Sequence, residues 1–403
     1  MAKNGFLVFD CDMHLEEPFD LWERRLPEPW RSRTKIVPPP RGHLETGRAG
    51  IEVGGKVSQP LSFGPAVSEV AEEAFQRRNP TTRQSERKWL EVPHLVKAQT
   101  ECSPEVYLEG MEIEGIDIAV LTPSFIFRLT SIDGLDPEHA IAMCRVHNDY
   151  AAEFAGADPQ RFKFWAWLPR GAPEQAAREA RRCVEELGAA GVAMTNQAVD
   201  GRLLSDPEFD ALWTEAERLH TVVGIHPATP RVMRDDFRSR YNGHRRTDVV
   251  GTTMRPFYAQ SCIAELILGG VLEEHPAMNV MIMESDATWV PWLLWRMDGK
   301  WETYGPDQDY QLSLKPSDYF RRQCFVAADP GEEVVRYVID QVGDDRVVWA
   351  SDYPHHDCPF PEATSTFLAL EGTSEESKRK ILWDNAARLF GIDARRESAA
   401  LVS

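Results

Sequence analysis

The seven cysteines of this chain are scattered, odd in number and never spaced as C-x-x-C. That excludes a thiolate zinc cage and argues against a disulfide framework, leaving reduced, structural residues. No stretch approaches the roughly 18 consecutive apolar residues that a membrane-spanning helix needs. The opening MAKNGFLVFDCD carries one lysine and none of the long apolar segment of a secretory signal, so a cytoplasmic protein with no membrane partner is expected. Basic residues are scarce, 45 against 64 acidic, and the net charge of −19 disfavours capture by nucleic acid or an anionic membrane. Neither a G-x-G-x-x-G after the first strand nor a G-x-x-x-x-G-K-[ST] loop is present, which removes the usual support for dinucleotide or triphosphate cofactors.

What is present is alternation. Short apolar runs that read as strands (GFLVFDCD, IDIAVLTP, RFKFWAWLP, GVAMTNQ, TVVGIHP, VMIMESD, a run near Cys324, and RVVWASDYP) are separated by helical stretches such as DPEHAIAMCRVHNDYAAEFAG and PEQAAREARRCVEELG. Eight strands alternating with helices predict a closed (β/α)8 TIM barrel, deformed by an insertion after the first strand. Residues 1–395 are expected to form one barrel domain and 396–403 a tail. Within it, 27–100 is rich in Pro, Gly and Arg and reads as the insertion or lid, with ETGRAGIEVGGK as a small hairpin.

Chemistry-bearing side chains recur where these strands end. Asp12 and His14 stand two residues apart at the end of the first strand, a period that turns both to one face, where a carboxylate and an imidazole can share a cation. His226 closes the fifth strand before Pro227, and Asp352 closes the eighth, where it can bind metal, hold a water or hold a substrate proton. Residues so far apart meet only in a closed parallel sheet, whose strand ends build the site. Trp165 and Trp167 share one strand face inside the barrel, and Trp167 is a candidate for contact with an aromatic substrate. Trp289, Trp292 and Trp295 recur every three residues, a helical spacing that suits packing or a homodimer interface.

The motifs D-x-D-x-H-x-x-E-P at Asp10, EGID-x-x-V-L-x-P at Glu114, HP at His226, E-x-HP-x-M-N-V at Glu273, SDYPH at Ser351 and NAARLFG at Asn385 carry a resemblance. In this order the chain resembles the amidohydrolase superfamily, in the branch of the aminocarboxymuconate semialdehyde and hydroxybenzoate decarboxylases. The resemblance implies one divalent ion, zinc first and manganese as the alternative, held by Asp12, His14, His226 and Asp352. The fourth strand ends Met194-Thr195-Asn196, without the lysine that binuclear relatives carboxylate, so one metal is expected. Where many relatives have a histidine after the sixth strand, this chain has Met283-Glu284-Ser285-Asp286; Glu284 is the candidate for that place, with Asp286 beside it. His355 belongs to the matching SDYPH motif and is expected to order the loop or touch substrate, as is its neighbour His356.

The expected activity is metal-dependent decarboxylation of a small aromatic or unsaturated carboxylic acid, with Asp352 or Glu284 managing the proton. Hydrolysis of an amide, ester or lactone by an activated water uses nearly the same ligands and stands second. A non-catalytic, metal-stabilised binding protein stands third, and would show these residues paired locally instead of converging.

Overall fold

The computed structural model describes residues 3–18, 20–37, 50–58, 92–227, 253–355 and 358–392. Its centre is an eight-stranded sheet whose strands follow one another in chain order. Strand β1 (Phe9–Leu15) opens it; β2 (Thr34–Val37), β3 (Gly50–Val53) and β4 (Lys56–Ser58) form a separate antiparallel sheet within the expected insertion. The barrel continues through β5 (Ile118–Pro123), β6 (Phe162–Trp167), β7 (Gly191–Thr195), β8 (Val222–His226), β9 (Asn279–Ile282), β10 (Cys324–Ala328) and β11 (Val347–Trp349). All recorded pairings among these strands are parallel, and helices fill the connections, which is the (β/α)8 barrel. Among the described residues no helix is long and apolar enough to cross a membrane.

The first and last strands are joined beyond the end of β11, where Asp352 N–H donates to the Asp12 carbonyl at 3.2 Å and His14 N–H to the Tyr353 carbonyl at 2.7 Å. Asp10 reinforces the seam. Its Oδ1 accepts from Ser351 N–H at 3.0 Å and from Asp12 N–H at 3.1 Å, and its Oδ2 accepts from the Ser351 hydroxyl. Barrel closure and presentation of Asp12, His14 and Asp352 therefore depend on the same few bonds.

The barrel interior is packed solid. Trp165 is fully buried, donates its indole N–H to the Cys11 carbonyl at 3.0 Å, and fills space left by two glycines. A Cβ on Gly191 would lie 2.2 Å from the Trp165 ring, and one on Gly224 would lie 2.8 Å from Met283 and 3.1 Å from Trp165. Below it Phe390 stacks on Phe9 with centroids 5.5 Å apart and meets Trp165 edge-on at 5.3 Å, plugging the far end.

Several motif residues act as latches. Glu17 accepts the backbone N–H of Ser124, Phe125 and Ile126, pinning the loop after β5. Glu114 accepts Ala363 and Thr364 N–H, Asp117 accepts Val8 N–H, and Asn385 donates to the Val347 carbonyl at 2.7 Å. Each buried polar group is thus bonded to backbone from a distant part of the chain. The helix Pro137–Ala155 starts with Asp136 accepting Glu138 N–H and Pro137 in its first turn, a favourable N-terminal pairing.

A candidate metal centre at the barrel mouth

The C-terminal strand ends bring Asp12, His14 and His226 together: one ligand atom from each lies within 4.8 Å of the others, and the same holds for His14, Asp352 and His355. All five residues cluster around the closure of β1 onto the eighth strand. His14 Nδ1 lies 3.1 Å from the Pro123 carbonyl, which fixes its tautomer and leaves Nε2 facing Asp352 Oδ1 at 3.0 Å. Asp352 Oδ1 also lies 2.8 Å from His355 Nδ1, and the His14 and His355 rings stack with centroids 3.8 Å apart. His226 Nε2 sits 3.1 Å from Glu284 Oε2 and 3.8 Å from Asp12 Oδ2.

Three carboxylates thus crowd three imidazoles in a buried place. Burial would lower the His14 imidazole, but the Asp352 contact outweighs it and the ring is pushed up to about 10. His355 is raised as well: burial opposes its charge, and Asp352 overcomes that. Burial would raise Asp352, yet His355 and His14 hold its carboxyl well below the ordinary range. Burial raises Asp12. Neither Asp12 oxygen nor either His226 ring nitrogen has a well-directed hydrogen-bond partner among the described residues. Buried groups of this kind are costly unless something satisfies them, and a divalent cation accepting neutral imidazole nitrogen and carboxylate oxygen does so while replacing the extra protons. The donor set of two imidazoles and two carboxylates suits zinc or manganese by ligand type.

Glu284, directly after β9 and Met283, pairs with Arg255 at the start of the helix Arg255–Leu268. Burial pushes the Glu284 carboxyl up, but Arg255 outweighs it and holds it at about 2. The backbone is unusual here: Glu284, Asp286 and Asp352 have φ of 42°, 50° and 60°. Left-handed conformations in non-glycine residues carry a cost that surrounding structure must offset, and three at one cavity mark a functional locus. That cavity, of about 130 Å³, opens beside Asp352 and Glu284 and is lined also by Arg255, Asp286 and Asp329.

Of the residues singled out from sequence, Asp12, His14, His226, Glu284, Asp352 and His355 come together. Asp286 lines the cavity without a recorded bond to this cluster. Trp167 is fully buried, donates its indole N–H to Thr130 Oγ1 at 3.0 Å, and meets His226 edge-on at 6.3 Å; it does not line the described cavity. His356 and the basic stretch RRNPTTRQSERKW lie outside the described residues. Sequence reading did not single out Arg255 or Asp329. Asp329 follows an apolar run, the same signal that exposed Asp352, whereas Arg255 opens a helix far from any strand end and left no signal.

The convergence of Asp12, His14 and His226 is the opposite of the local pairing that a non-catalytic barrel would show. Comparison with known proteins agrees with the architecture. The chain is 32% identical over 270 residues to a gamma-resorcylate decarboxylase of Rhodococcus jostii (strain RHA1), covering 64% of this chain and 78% of that protein. It is 25% identical over 305 residues to a 2-amino-3-carboxymuconate-6-semialdehyde decarboxylase of Dictyostelium discoideum, covering 72% and 77%. A dihydroxybenzoic acid decarboxylase from Polaromonas sp. JS666, solved with manganese and an inhibitor, superposes with a TM-score of 0.62 at 23% identity, over 76% of this chain and 90% of that one. The amidohydrolase family model matches residues 9–392, the whole barrel from its first strand to its closing helix, and the chain belongs to that family.

Proposed function

We propose that this chain is a mononuclear, divalent-metal-dependent decarboxylase of a small aromatic carboxylic acid. The observation that carries the reading is the buried convergence of Asp12, His14, His226 and Asp352 beside a cavity, in a chain whose named relatives are decarboxylases. Asp12, His14, His226 and Asp352 would hold the ion, zinc as the first choice and manganese as the second. When bound, the ion would supply positive charge that holds the acid's carboxylate and a neighbouring hydroxyl oxygen in place.

The chain's own residues manage the proton. Asp352 Oδ1 lies between His14 Nε2 and His355 Nδ1, so a proton carried on His355 Nδ1 can pass through the Asp352 carboxyl to the ring carbon that bears the carboxylate. The C–C bond then breaks, its electron pair returns to the ring, and CO₂ leaves. Arg255 holds Glu284 as a carboxylate beside His226, so Glu284 adds negative charge next to the ligand set instead of donating a proton. Residues 27–100 are read as an insertion beside the mouth: Gln99 donates to the Pro354 carbonyl at 2.5 Å, and His94 Nε2 pairs with the Tyr353 hydroxyl at 3.0 Å.

Metal analysis of protein purified without chelator, paired with CO₂ release from a panel of aromatic carboxylates, tests the reading. About one ion per chain is expected, with release abolished by metal removal and restored by zinc or manganese. Bound metal with hydrolysis of esters or lactones and no CO₂ would sink it in favour of a hydrolase.

The helix Val290–Tyr304 buries Trp289 but leaves Trp292 55% and Trp295 70% exposed, which supports a homodimer through this face. Light scattering should give twice the chain mass, and a monomer at micromolar concentration would refute the assignment. Seven cysteines outside any disulfide among the described residues support a cytoplasmic location, which cell fractionation tests.

A further inference from the structure

Asp329 directly follows β10, at the mouth end of the seventh barrel strand, and contributes its carboxyl to the wall of the cavity. Of the neighbouring carboxylates, all but Asp286 are committed. Glu284 is bonded to Arg255 and faces His226, Asp352 faces His14 and His355, and Glu332 accepts Ala287 and Thr288 N–H at 2.8 Å. The Asp329 carboxyl has no hydrogen bond or ion pair among the described residues, while its backbone carbonyl accepts Glu332 N–H at 3.2 Å. Burial, reinforced by Asp286 and Asp352, pushes its carboxyl well above the ordinary range. Pro330 and Pro359 add apolar surface to the same cavity, and Arg255 is the cation among its described lining residues.

We propose that Asp329 is a specificity-determining residue of this site, binding a hydroxyl or amino substituent on the ring of the bound acid. The inference rests on the aromatic-acid reading above. A bare ring edge would leave the Asp329 carboxyl desolvated and unpaired, whereas a hydroxyl or amine satisfies it whether it is protonated or charged.

The test is titration calorimetry of the metal-loaded full chain with benzoate and a dihydroxybenzoate, on wild type, Asp329→Ala, Asp329→Leu and Asp329→Asn. The wild type is expected to prefer the dihydroxybenzoate over benzoate, and Asp329→Ala to lower that preference about tenfold with little change for benzoate itself. Asp329→Asn keeps an acceptor and a donor, so it should retain most of the preference. An unchanged preference in an Asp329→Ala protein that keeps its metal and melts like wild type overturns the proposal. Should Asp329→Ala fail to fold, Asp329→Leu, of similar size and without a polar atom, decides by the same ratio. Binding is read without turnover, so absence of CO₂ release would count against the decarboxylase reading and leave the preference ratio to judge Asp329.

Discussion

Asp352→Asn is expected to lower kcat/KM for CO₂ release by ~1000-fold, the scale on which a positioned acid–base group contributes to rate. Asparagine tolerates the left-handed backbone at this position, where φ is 60°, so the loop and the Asp352 N–H bond to the Asp12 carbonyl should survive. What disappears is the carboxylate that His14 Nε2 meets at 3.0 Å and His355 Nδ1 at 2.8 Å. The proton path from His355 ends there, and one candidate oxygen ligand is weakened. Metal content and melting temperature should be measured alongside. A variant that is folded, metal-loaded and within tenfold of wild type would remove Asp352 from the chemistry.

Removing the seam between the first and last strands should give the largest loss of stability. Asp10→Ala strips acceptors from Ser351 N–H, Asp12 N–H and the Ser351 hydroxyl in a fully buried place, and should cost about 3–5 kcal/mol, measured by denaturant unfolding. Asp10→Asn is the informative partner. Its Oδ1 can still accept both backbone N–H groups, and its amide can donate to the Ser351 hydroxyl. Burial pushes the Asp10 carboxyl from its ordinary 3.8 up to about 7, the bonds from Ser351 and Asp12 only partly offsetting it. A carboxyl raised on folding binds its proton more tightly in the native state, so its contribution is full below about pH 4 and is lost as pH climbs through about 7. In metal-stripped protein, wild type should therefore lose stability relative to Asp10→Asn over that window. A difference flat in pH would show that Asp10 is already ionised at low pH in the native state.

Much of this was legible before any coordinates. Each barrel strand is a short apolar run between helices, and burial on both faces leaves such runs nearly uninterrupted, as IAVLTP illustrates. Asp12, His14, His226 and Asp352 stood out because a polar residue ending such a run has little reason to be there except a site. The hairpin was readable from Gly54 and Gly55, whose φ of 57° and 75° make the turn between β3 and β4. Less legible were the reasons behind the remaining motif residues. Glu17, Glu114, Asp117 and Asn385 read as one family pattern, yet each satisfies backbone groups on a separate part of the chain, and a partner so distant in sequence leaves no local trace.

Strand order, the barrel and the four candidate ligands follow from local pattern, because side-chain alternation and helical period are short-range properties written in neighbouring residues. The state of the site does not. That Glu284 is held as a carboxylate depends on Arg255, 29 residues away in the chain. The Asp329 carboxyl is without a partner among the described residues, while Glu284, Asp352 and Glu332 meet theirs across the barrel mouth. Charge, hydrogen bonding and cavity shape are set by which groups meet across the barrel mouth, and burial multiplies the consequence of each meeting, so these were decided by the tertiary structure.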